Sequence, residues 1–95
     1  MYDSIRVVGL RISTEINATL IRLSKNQGDP LLKKRLIHLV LHLCNNSMLL
    51  KQDDNHLRMN QNHLAYSKAK FEDVIEAAGL KAVFETAIQY QLQQL

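Results

Sequence analysis

The chain of 95 residues has no tryptophan, one cysteine, one proline and three glycines, and its aromatics are two phenylalanines and three tyrosines. Each scarcity removes a class of protein. A single cysteine, Cys44, excludes an internal disulfide framework and fits a reducing compartment. So little proline and glycine argues for long helices joined by few turns. With so few aromatics, a platform for stacking nucleic-acid bases is not expected. No apolar run approaches the roughly 18 residues needed to span a bilayer. The nearest, LIHLVLHLC at 36–44, is short and broken by His38 and His42. Asp3 and Arg6 precede no continuous apolar segment, so the start does not read as a secretory signal. These absences point to a soluble, cytoplasmic chain.

Catalytic signatures are missing as well. There is no glycine-rich phosphate loop, nucleophile elbow, HExxH, CxxC or paired-carboxylate constellation. His38 and His42, four apart, share a helical face, but a metal site needs three or four converging ligands. Cys44 and His42 are two apart, so on a helix they point in different directions and cannot act as nucleophile and base. The sequence therefore predicts a non-enzymatic protein without cofactor, metal or small-molecule substrate.

What is present is positive charge, unevenly spread. Residues 1–60 hold nine Lys and Arg against five acids, whereas residues 61–95 hold three against four. A basic front half suits phosphate contact, where each neutralised phosphate releases counterions. A solvated basic helix face would carry the same pattern.

Residues 10–28, LRISTEINATLIRLSKNQG, change hydrophobic period. Val8, Leu10 and Ile12 alternate with Gly9, Arg11 and Ser13, as in a half-buried strand, and beyond them Ile16, Leu20 and Leu23 follow helical spacing. Ser13 or Thr14 can cap that helix, Glu15 suits its positive end, and Gly28 can end it in a left-handed conformation. Ile5, Val8, Ile12, Ile16, Leu20 and Leu23 also fit one amphipathic helix over 4–27, capped by Asp3 or Ser4. Against that single helix stand Gly9, costing about 1 kcal/mol relative to Ala, and the β-branched cluster Ile5, Val7, Val8, Ile12 and Thr14.

Leu10, Arg11, Ile12, Ser13, Glu15, Ile16, Leu20, Leu23 and Gly28 give the run a pattern that resembles the opening of ribbon-helix-helix DNA-binding proteins. The resemblance covers residues 5–44. It implies a dimer whose paired strands enter the DNA major groove, with Arg11 at a base. It further implies Arg6, Ser13, Lys33, Lys34 and Arg35 as nucleic-acid contacts, most of them to phosphate. Two features depart from the family pattern. About two residues are inserted around Asp29–Leu32, and the outward strand positions Val7 and Gly9 offer no donors or acceptors to base edges.

Asp29-Pro30 marks the next helix start, and a helix over 30–45 presents Leu32, Leu36, Leu39, Val40 and Leu43. Asn45, Asn46 and Ser47 are candidate interruptions, and 52–55 (QDDN) is a stronger break. Helical spacing resumes from His56 to Ala78, stops at Gly79, and returns over 80–95. There Leu80, Phe84, Ile88 and Leu92 form a stripe expected to oligomerise or recruit a partner protein. The fold expected is mainly α, a single domain over 1–95. A short N-terminal strand and four helices would form a ribbon-helix-helix-like part at 5–44 and a helical oligomerisation part at 55–95. The function expected with it is DNA binding, as a regulator or a plasmid or phage accessory factor. The alternative is an all-α helical bundle acting as an adaptor, chaperone, inhibitor or small basic subunit of a larger assembly, without sequence recognition.

Overall fold

The computed structural model describes residues 2–50 and 52–95, with side chains from Ile5 onward. Lys51, counted above among the basic residues, and the side chains of the candidate caps Asp3 and Ser4 lie outside the described residues. Five helices follow one another: α1 (Tyr2–Lys25), α2 (Pro30–Leu49), α3 (Asp54–Lys70), α4 (Glu72–Ala77) and α5 (Lys81–Gln93). The fold is the all-α alternative, and among the described residues there is no strand.

The expected strand over residues 5–13 is therefore corrected to helix, and the ribbon-helix-helix architecture is not seen. Packing decides the matter. Within the disputed segment Ile12 is buried, and at about 1.5–3 kcal/mol its burial outweighs the roughly 1 kcal/mol cost of Gly9. A lone strand in a monomer would leave its edges unpaired. The proposed caps are absorbed too. Thr14 Oγ1 donates to the Leu10 carbonyl oxygen at 3.0 Å, one turn back along the helix, and Ser13 is buried.

Elsewhere the boundary signals hold. Gly28 leaves α1 at φ 88°. Asp29 caps α2, accepting from the backbone N–H groups of Leu31 at 2.9 Å and Leu32 at 3.3 Å. Asn45–Ser47 does not interrupt α2, because Asn46 and Ser47 face the interior and Ser47 Oγ donates to the Leu43 carbonyl. Asp53 caps α3 by accepting from the His56 N–H at 3.1 Å. The single helix expected over 56–78 breaks at Phe71 into α3 and α4, and Gly79, at φ 72°, precedes α5.

The four long helices form a bundle with neighbours in the ring order α1, α2, α5, α3. The α1–α2 hairpin is antiparallel, whereas α3 runs beside α1 in the same direction. Asp53 meets Arg6 at one end, and His63 and Ser67 face Ser13 and Asn17 further along. The core draws on α1 (Ile16, Leu20, Leu23), α2 (Leu36, Val40, Leu43), Leu64 of α3 and Phe84 of α5. Ile75 of α4 closes one end of it. No helix is long and apolar enough to cross a membrane, among the described residues.

At the opposite end the interior turns polar. Asn46 of α2 donates from Nδ2 to the Ile5 carbonyl of α1 at 2.8 Å and accepts at Oδ1 from Asn60 Nδ2 of α3 at 3.1 Å. One amide thus ties three helices together, spanning the α2–α3 diagonal of the ring.

Candidate nucleic-acid interface

Helix continuity through Gly9 reassigns Arg6 and Arg11, which the strand reading would have placed on a ribbon. Arg11, Glu15, Ala18 and Arg22 recur at intervals of four, three and four, so they share one face. That face borders α2, because Arg35 reaches Glu15 with Nη2 at 3.1 Å from Oε2. Beside Arg35, α2 presents Lys34, His38 and His42 around a hollow of about 350 Å³ that Leu31 and Leu39 also line. Arg11 and Arg22 thus flank Glu15 on α1, Glu15 pairs with Arg35, and Arg35 shares its hollow on α2 with Lys34. All four cations are exposed. Lys34 and Arg35 lie in the first turns of α2, whose N-terminal dipole is met by the Asp29 carboxylate.

The residues singled out from sequence are only partly brought together. Arg11, Lys34 and Arg35 belong to this face. Arg6 points to the other flank of α1, where Nη2 lies 2.9 Å and Nε 3.0 Å from Asp53 Oδ2. His56 Nδ1 lies 3.0 Å from the same oxygen, near enough for an ion pair when protonated but not aligned as a hydrogen bond. Ser13 is buried between α1 and α3, its hydroxyl without a hydrogen-bond partner. Lys33 flanks a separate hollow beside Gly28, Val74 and Ala78. Arg22 was missed as a site residue. Its signal was the spacing of eleven from Arg11, about three helical turns, visible only once α1 is read as one helix.

Of the stripe on the last helix, Leu80 and Phe84 are buried in this chain's own core and Ile88 packs against it. Leu92 alone of the four is exposed. Cys44 and His42 are apart, the cysteine on the side of α2 that faces α5. Burial pushes the Cys44 thiol above its ordinary range. Among the described residues no group of three or more His, Cys, Asp or Glu is placed to hold a metal ion.

Fold and face together define a basic four-helix bundle with one strongly cationic helix pair. Comparisons with protein-family models, curated proteins and solved structures found no match.

Proposed function

We propose that this protein is a non-enzymatic helical module that holds nucleic-acid phosphates on its α1–α2 face. The observation that supports this reading is that Arg11 and Arg22 share the α1 face of Glu15, which pairs with Arg35 beside Lys34 on α2. Guanidinium groups suit phosphate oxygens because their planar fork donates two parallel hydrogen bonds. The contact is electrostatic, and reading of bases by a paired ribbon has no strand to carry it among the described residues.

The test is fluorescence anisotropy of labelled duplex and single-stranded oligonucleotides titrated with protein across a salt series. Four phosphate contacts give a slope of log affinity against log salt of about −3.6 on duplex. Arg11→Glu and Lys34→Glu each weaken binding to all sequences alike and flatten the slope, while Arg58→Glu on α3 changes it less. Absence of binding at low salt, or equal losses in all three variants, overturns the proposal.

A further inference from the structure

His38 and His42 line the same hollow of α2 as Lys34 and Arg35. Lys34, His38 and His42 follow one another at intervals of four, and Arg35 precedes the two histidines by three and seven, so the four crowd one side of the helix. Both imidazoles are exposed, so neither is a packed core histidine. The hollow is lined by α2 residues alone. From α1 the charges on the face that borders α2 are Arg11, Glu15 and Arg22, and Glu15 pairs with Arg35. In the antiparallel hairpin Arg11 lies one turn from Glu15, in the direction that α2 takes from Arg35 toward His42. Among the described residues no titratable side chain of α3 or α5 lines the hollow.

We infer that His38 and His42 belong to the phosphate-holding surface and make its hold on a nucleic acid tighten as pH falls, an inference that rests on the function proposed above. Histidine is the side chain whose charge ordinarily changes between about pH 5 and 8. Neutral, the two imidazoles add no net charge beside Lys34 and Arg35. Protonated, they add two cations, each donating from both ring nitrogens. A phosphodiester keeps its negative charge throughout that range, so the change lies on the protein side alone. Protons and phosphates then favour one another's binding, because coupling between two bound species is reciprocal. The hollow is thus the titrating part of the face, and Arg11, Arg22, Lys34 and Arg35 are its constant part.

Anisotropy of a labelled duplex without terminal phosphates tests it, with salt series at about pH 8 and about pH 5.5. In wild type the slope of log affinity against log salt steepens from about −3.6 at the higher pH toward about −5.4 at the lower, two further phosphate contacts. His38→Gln combined with His42→Gln loses most of that steepening, whereas His63→Gln on α3 keeps it. His38→Lys combined with His42→Lys carries fixed charge, so its slope is already steep at the higher pH and changes little. Both α2 positions are exposed, and circular dichroism verifies the fold; should the glutamine pair lose helicity, the lysine pair decides. A wild-type slope equal at the two pH values overturns the inference. So does a glutamine pair that steepens as wild type does, a His63→Gln variant that loses the steepening as fully, or a lysine pair with the wild-type slope at the higher pH. In each of those cases binding near pH 8 leaves the proposed function standing. Absence of binding at both pH values removes the function and the inference together.

Discussion

Asn60 hands a hydrogen bond from Nδ2 to Asn46 Oδ1 across 3.1 Å inside the bundle, between two helices that lie diagonally in the ring. Gly9 makes that meeting possible. A β-carbon at position 9 would stand 2.6 Å from Asn46 Oδ1 and 3.1 Å from both amide atoms of Asn60. The glycine that weakens α1 in isolation is therefore the residue that lets three helices close around a polar pair.

Gly9→Ala accordingly lowers stability by about 1–3 kcal/mol, the usual penalty of overpacking a filled site, despite alanine's better helix propensity. In an Asn46→Ala background the 2.6 Å clash is gone and only the 3.1 Å approaches to the Asn60 amide remain, so the penalty shrinks. A double-mutant cycle by urea denaturation measures the coupling. Additive effects would show that the contact does not govern Gly9.

Asp53 joins two tasks, capping α3 through the His56 N–H and binding the Arg6 guanidinium. Asp53→Ala loses both and destabilises the chain by about 2–3 kcal/mol, combining a cap with a charged hydrogen bond. Asp53→Asn keeps an oxygen for the cap and loses less. Thermal melts of the two variants check the order, and equal losses would mean that the cap contributes nothing.

Glu15 holds Arg35 at 3.1 Å on the cationic face. Glu15→Gln frees that guanidinium and removes an adjacent negative charge, so oligonucleotide affinity rises and the salt slope steepens by up to about one contact. Both side chains are about half exposed, so folding stability changes little. Unchanged affinity in the anisotropy titration would separate Glu15 from the binding surface.

Cys44 titrates late because burial disfavours its thiolate. Since only the thiolate reacts, labelling by a disulfide reagent is slower at pH 8 than for a free thiol. The rate keeps climbing past pH 9.0, the ordinary midpoint for a cysteine thiol. A plateau below that pH would mean that the side chain is better solvated than its place beside α5 implies.

Much of the helical framework was legible because its signals are local. Asp29-Pro30, Gly28 and Gly79 mark ends through the conformations and hydrogen bonds of the residues themselves, and the structure places helix ends beside each. The split at Phe71 was not legible, since the apolar spacing runs through it without a proline or glycine. Asn46 and Ser47 misled for a related reason. Polar side chains read as a break unless the partners that accept them inside are known, and Ile5 and Asn60 come from other helices.

By itself the sequence determined a basic, predominantly helical chain, with its helix starts and stops and the apolar residues available to bury. It left residues 5–13 compatible with two periods, because Val8 and Ile12 belong both to a strand's alternation with Leu10 and to a helix's face with Ile5. Tertiary structure decided between them, since burial against α2 and α3 is a non-local gain that exceeds local backbone preference. The same choice fixed which cations share a surface: Arg11 joins the helix face of Glu15, the partner of Arg35, only when α1 winds unbroken past Gly9.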